Sequence, residues 1–238
     1  MSLIRQTCLS KAYYMNDKTL KLENIAVIPA RSGSKRLPGK NKRLLGGIPM
    51  FQWSLHAALA SRLFQKIILT TDDPEIIELA KELPSVSVLQ RPPELASDDA
   101  SSIDVLIHAT ANLSFKYVCM LQPTSPLRTA DDILRSKALL LENKSESVVS
   151  AAKSHHPNHW QFSSQCGEIP KGFARQILET KRDSYKFSYV LNGAIYWYHR
   201  NSLITHKKQI IDGAKIYEMP PSRSIDVDTL EDFIQCEA

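Results

Sequence analysis

The chain has 238 residues, a length that fits one α/β domain with room for a modest insertion, and its 43% hydrophobic and 23% charged residues are those of a globular protein rather than a disordered one. No uncharged apolar run reaches the roughly 18 residues needed to cross a bilayer, and the first 23 residues lack the apolar core of a secretory signal, so no membrane and a cytoplasmic location are expected. The formal net charge is +5, but six basic residues and no acidic ones lie between Arg31 and Arg43, so the remainder of the chain is at −1. One compact basic cluster suits a small polyanion and argues against nucleic acid, which needs an extended basic stripe. Cys8, Cys119, Cys166 and Cys236 are far apart and form no C-x-x-C pair, so no zinc site is expected, and a chain of this length needs no disulfide framework.

Along the chain, Asn24–Pro29 is a β-branched run that reads as a buried strand leading into a Gly/Ser/Lys/Arg loop. Met50–Arg62 has helical spacing at Trp53, Leu55, Ala58 and Leu59. Lys66–Thr71 is a second strand, followed by a helix over Pro74–Leu83 with Asp73 as its N-cap. Val86–Leu89, Tyr117–Leu121 and Ser147–Ala152 continue as strands, alternating with helices over Ser102–Leu113 and Thr129–Glu142. This alternation predicts a mainly parallel sheet with helices on both faces and a ligand crevice at the carboxyl ends of its strands. From about His155 to Leu191 the pattern breaks, and the stretch reads as an excursion from the sheet. Strands return at Gly193–His199 and Ala214–Glu218, with a closing helix over Thr229–Gln235.

The loop after the first strand, Pro29-Ala-Arg-Ser-Gly-Ser-Lys-Arg-Leu-Pro-Gly-Lys-Asn41, combines small residues with Arg31 and Lys40. Small residues let backbone N–H groups approach an anion; an arginine forks onto phosphate oxygens and a lysine acts as a point charge. It is not a Walker A loop, because G-x-x-x-x-G-K-[ST] is absent. Near the end of the chain, Asp226-Val227-Asp228 places two carboxylates on one face of an extended chain with Val227 turned away. Two hard oxygen ligands beside phosphate suit Mg²⁺; the alternative use of either aspartate is as a cap on the last helix.

The segment Ile28–Asn41 resembles the nucleotide-binding signature of the sugar-activating cytidylyltransferases, which include the CMP-sialic acid synthetases, their relatives acting on legionaminic and pseudaminic acids, and the CMP-KDO synthetases. Four further segments are similar to motifs of the same family in the same order: Gln90–Ser102 (QRPPELASDDASS), Leu121–Thr129 (LQPTSPLRT), Asn192–Tyr196 (NGAIY) and Ser224–Thr229 (SIDVDT). Of these, Gln90–Ser102 and Ser224–Thr229 fit the sialate branch better than the KDO branch. The resemblance implies a three-layer, Rossmann-like sheet of the nucleotide-diphospho-sugar transferase type. It further implies an N-terminal extension over 1–23, a catalytic domain over 24–238, and a small dimerisation and sugar-pocket lobe over 155–191. It places Arg31, Ser34, Lys40 and Asn41 at the CTP phosphates and nucleotide, Arg91 at the cytosine edge and Ser102 at the ribose. Gln122, Arg182 and Tyr196 fall at an acidic nine-carbon sugar, and Asp226 and Asp228 at Mg²⁺; Arg31, Lys40 and Asp228 carry the catalytic roles, and a homodimer is implied. Arg91 has an alternative as an ion-pair partner of Glu94, and Tyr196 as a buried strand tyrosine. Arg128 reads as structural.

Many sialate-type members carry an arginine two residues before the Asn of N-G-A-I-Y, where this chain has Val190. The particular nonulosonic acid is therefore open, with Lys181, Lys186 and Arg175 as further basic residues near Arg182. The activity implied is transfer of CMP from CTP to the sugar's anomeric hydroxyl with release of pyrophosphate. A CMP-KDO synthetase-like enzyme, a glycosyltransferase using D-V-D as its metal motif, and a catalytically impaired CTP or CMP-sugar binder are the alternatives. The basic loop has no purpose in the second, and intact Lys40, Asp226 and Asp228 weigh against the last.

Overall fold

The computed structural model describes residues 22–83, 85–154, 156, 160–164, 168–173, 175 and 188–238. Its main sheet contains β1 (Leu22–Pro29), β4 (Lys66–Thr71), β5 (Val86–Gln90), β6 (Phe115–Met120), β7 (Ser147–Lys153), β8 (Tyr189–His199) and β9 (Lys215–Met219) in the order β5-β4-β1-β6-β8-β7-β9. β5, β4, β1 and β6 are parallel neighbours, β8 runs antiparallel to β6 and β7, and β9 is parallel to β7. The sheet is thus mixed, with a parallel half that carries the loops of interest.

Strand alternation sorts the core into two layers. Ala26, Ile28, Ile67, Leu69, Cys119 and Trp197 pack against α1 (Met50–Ser61), α2 (Pro74–Ala80) and α4 (Ala130–Glu142). Ile25, Val27, Ile68, Val118, Met120 and Tyr198 face the other way, onto α3 (Ser102–Thr110) and α5 (Arg200–His206). A central strand is covered on both faces, which explains why Ile25–Ile28 is a continuous apolar run instead of an alternating one. The three-layer α/β reading of the sequence is borne out.

Helix starts follow local chemistry. Asp73 Oδ1 accepts the Glu75 N–H at 2.9 Å, with Pro74 in the first turn of α2. Thr129 and Asp132 form a reciprocal capping box on α4, and Thr229 and Asp232 form one on α6 (Leu230–Glu237). Neither Asp226 nor Asp228 caps α6, which removes the alternative use of that pair.

Four local features differ from the expectations. A hairpin of β2 (Leu44–Leu45) and β3 (Ile48–Pro49) turns at Gly46-Gly47, both at positive φ. α5 was not anticipated, because its N-cap is His199, whose Nδ1 accepts the Asn201 N–H, and histidine is an uncommon cap. β8 begins at Tyr189, pairing Lys153, Ala152 and Ala151 with Tyr189, Val190 and Leu191, so the sheet reclaims three residues assigned to the excursion. β1 likewise starts at Leu22, inside the segment assigned to the extension. Most of 155–187, with Lys181, Arg182 and Lys186, and residues 1–21 lie outside the described residues.

Candidate active site

The carboxyl ends of β1, β4, β5 and β6 open into a crevice of about 680 Å³ lined by Arg31, Ser34, Lys40, Asn41, Arg91, Ser102 and Gln122, among others. Seven residues assigned to nucleotide or sugar from separated motifs thus share one surface. A second lobe of about 570 Å³ shares Arg31, Ser34 and Lys40 and adds Lys35, Arg36, Asp98 and Asp228.

The basic loop is held by what flanks it. Leu37 is buried with Leu45, Met50, Val227 and Phe233 in a small apolar cluster that joins the loop, the hairpin, α1 and α6. Asn41 is buried and its Nδ2 donates to the Arg31 carbonyl at 2.9 Å, closing the loop on itself, while its Oδ1 has no partner among the described residues. Arg31 donates to the Ser97 carbonyl at 3.1 Å and pairs with Asp98 at 3.0 Å, and Lys35 pairs with the same carboxylate at 2.6 Å. Their charges hold the Asp98 carboxyl below the usual range, the Lys35 hydrogen bond foremost. Asp98 is a site residue that the motif reading did not single out, although it lies within the quoted Gln90–Ser102 segment.

Val227 is fully buried and its N–H donates to the Thr124 carbonyl at 2.7 Å, while Asp228 lines the second lobe and Asp226 is exposed. Asp228 accepts from Lys40 at 2.9 Å and from Arg36 at 2.6 Å. Asp226 makes no ion pair among the described residues. Solvent reaches the residue, yet protein packed round the carboxyl raises its pKa; the Thr124 hydrogen bond opposes this and the charge of Asp228 adds to it. A divalent cation would relieve that unfavourable charge, and two carboxylate oxygens are suitable donors for Mg²⁺. Among the described residues no group of three or more His, Cys, Asp or Glu side chains could cage an ion, so such an ion would take further oxygens from water or substrate.

Arg91 is buried and its Nη2 donates to the Thr70 carbonyl at 2.9 Å, so the alternative ion pair with Glu94 is not made. Burial lowers its pKa to about 10, with Arg31 adding to the effect and Asp72 opposing it. Gln122 lies beside Gly193, where φ is +70° and an added Cβ would stand 2.6 Å from Gln122 Oε1 and 3.4 Å from Asp226 Oδ2. The N-G-A-I-Y strand therefore touches the crevice through a glycine. Asn192 anchors that strand through Ser150 Oγ at 2.6 Å and Ser224 Oγ at 2.9 Å.

Tyr196 is 4% exposed and packs with Val27, Met120, Val149 and Tyr198 in the core, the surroundings of the alternative reading as a buried strand tyrosine. The register that pairs Tyr196 with Met120 and Val149 fixes this, placing it in the layer beneath the crevice. Arg128 is buried and structural, donating to the Ala194 carbonyl at 2.7 Å, the Gln122 carbonyl at 3.3 Å and Ser54 Oγ. Val190 is 54% exposed near the start of β8.

Fold and site together define an α/β protein whose crevice gathers cations and two carboxylates at the carboxyl edge of a parallel sheet. The chain belongs to the cytidylyltransferase family, whose model matches residues 25–165. It is 35% identical over 231 residues to the CMP-N,N'-diacetyllegionaminic acid synthase of Legionella pneumophila, covering 90% of this chain and 94% of that one. It is 33% identical over 223 residues to the N-acylneuraminate cytidylyltransferase of Streptococcus agalactiae, covering 90% of this chain but only 52% of that longer protein. A solved CMP:2-keto-3-deoxy-manno-octonic acid synthetase in complex with CTP superposes with a TM-score of 0.65 over 90% of this chain and 97% of that one; at 18% identity it supports the fold alone.

Proposed function

We propose that the protein transfers CMP from CTP to the anomeric hydroxyl of a sialic-acid-like nonulosonic acid and releases pyrophosphate. The observation that carries this reading is the convergence of Arg31, Ser34, Lys40, Asn41, Arg91, Ser102 and Gln122 on one crevice, in a chain of this family. The kinship with the legionaminate synthase over nearly its whole length favours a nonulosonic acid over KDO.

In this reading the triphosphate lies along the basic loop, with Arg31 and Lys40 offsetting charge that builds on the leaving pyrophosphate. Arg91 and Ser102 hold the base and ribose, and Gln122 orients the sugar through an amide that both donates and accepts. Asp226 and Asp228 hold Mg²⁺, which supplies charge neutralisation on phosphate oxygens. Arg182 remains a candidate for the sugar carboxylate on the resemblance alone. A homodimer is part of the reading, supported by exposed Tyr189, Val190 and Leu191 at the end of the segment assigned to dimerisation. So is action in the cytoplasm, where CTP is available.

The test is to offer CTP and Mg²⁺ with N-acetylneuraminate, N,N'-diacetyllegionaminate, pseudaminate or KDO separately and identify any CMP-sugar by mass. A CMP-nonulosonate is expected from at least one of the first three; a product from KDO alone would overturn the sugar assignment.

A further inference from the structure

Asp72 follows the last residue of β4 and has no part in the motifs, yet two sides of the crevice rest on it. Its Oδ1 accepts the Ser32 N–H at 2.9 Å and its Oδ2 accepts the Ser32 hydroxyl at 2.5 Å, fixing the basic loop one residue after Arg31. The two residues before it receive the rest of the site. The Thr70 carbonyl accepts from the Ala30 N–H at 3.0 Å and from Arg91 Nη2 at 2.9 Å, and the Thr71 carbonyl accepts from the Arg91 N–H at 2.8 Å. Residues 70–72 thus form one platform carrying both the phosphate-side loop and the base-side arginine.

The platform also solves an electrostatic problem. Among the described residues, the Nε of the buried Arg91 has no partner, and Arg31 stands within range to repel it. A buried guanidinium is costly without an opposing charge. Among the charges of the described residues acting on Arg91, Asp72 is attractive.

We propose that Asp72 is a positioning residue for nucleotide recognition: it docks the basic loop through Ser32 and places a negative charge at the strand end whose Thr70 and Thr71 carbonyls seat Arg91. The proposal rests on the reading of the crevice as a CTP site. Asp72 acts through Ser32 and Arg91, without itself touching the nucleotide. Loop placement sets affinity for the triphosphate, whereas the seating of Arg91 sets the preference among bases, so one side chain governs both.

Calorimetric titration with CTP and with UTP, in the presence of Mg²⁺, separates these effects. Asp72→Ala is expected to weaken CTP binding by roughly tenfold or more and to narrow the preference for CTP over UTP. Asp72→Asn keeps an oxygen for the Ser32 N–H but no charge, so it is expected to lose less affinity while still narrowing the preference. Ser32→Ala is expected to weaken CTP and UTP alike. A merely structural role would lower stability without changing the CTP-to-UTP ratio. Should Asp72→Ala fail to fold, Asp72→Asn decides: a CTP affinity and a CTP-to-UTP ratio within about twofold of the parent protein would overturn the proposal. Parent protein that binds CTP but makes no CMP-sugar would overturn the functional reading and leave this inference standing; parent protein that does not bind CTP would overturn both.

Discussion

Lys40 and Asp228 meet across 188 residues of chain: the lysine Nζ donates to Asp228 Oδ1 at 2.9 Å and to the Val227 carbonyl at 2.8 Å. That pair joins the basic loop to the carboxylates and so closes the second lobe of the crevice. Because Arg36 also grips Asp228, the carboxylate already has two cations in place. Asp228→Asn is expected to cut turnover by roughly a hundredfold or more while costing about 1 kcal/mol of stability, since the lysine keeps its carbonyl partner. Steady-state kinetics beside a denaturant melt checks both halves; near-parental turnover would refute a catalytic role for the residue.

Gly193 lets β8 pass close to Gln122, the residue proposed to orient the sugar. Alanine there must adopt φ near +70° and place its Cβ against Gln122 Oε1. Backbone strain of about 1–2 kcal/mol and displacement of the Gln122 amide are expected. In kinetic terms the KM for the sugar rises by roughly tenfold or more while CTP binding stays near parental. Equal losses for both substrates would show that Gly193 only supports the fold.

Asp226 has a raised pKa, caused first by the protein packed round it. A carboxyl raised in the folded state binds protons more readily there than in the unfolded chain, so stability falls as pH rises from the ordinary Asp range through the folded value. Above that window the charged group disfavours the fold. Asp226→Asn is therefore expected to raise the unfolding midpoint at pH 7 and to abolish Mg²⁺-dependent turnover. A lowered midpoint would contradict the assignment of Asp226 as a group held at a stability cost for function.

Lys137 lies in α4 with its Nζ 3.0 Å from the centroid of the Tyr117 ring and no hydrogen-bond partner among the described residues. Burial lowers its pKa to about 7, while nearby Glu23 and the aromatic ring favour the charged form. The unfolded chain keeps that proton up to about 10.5, so this residue makes stability rise between those two values. Lys137→Met is expected to raise the melting midpoint at pH 6 and to flatten the slope between pH 7 and 10. An unchanged slope would show that the ring holds the ammonium charged throughout.

Much of the architecture was legible because it is encoded locally. The β-branched runs and the Asp73 cap each follow from a few neighbouring side chains. The crevice was legible for a different reason, since separated motifs all fall at the carboxyl ends of strands. Tyr196 was not placed, because alternation shows that a residue faces one side of a strand but not whether that side meets a crevice or a helix. Asp72 escaped notice because its importance comes from pairing with Ser32, 40 residues away. The same strand-end argument applied to the Asp72-Asp73 pair after β4 would have pointed to it. The ion pairs of Asp98 and Arg36 are likewise products of tertiary folding.

The most direct test of the central claim is pyrophosphate release from CTP and Mg²⁺ by the purified protein, measured with and without an acidic nine-carbon sugar. Release that requires the sugar and matches the CMP-sugar formed one for one is the expected result. CTP bound in the crevice, with no pyrophosphate released whichever nonulosonic acid is offered, would contradict it.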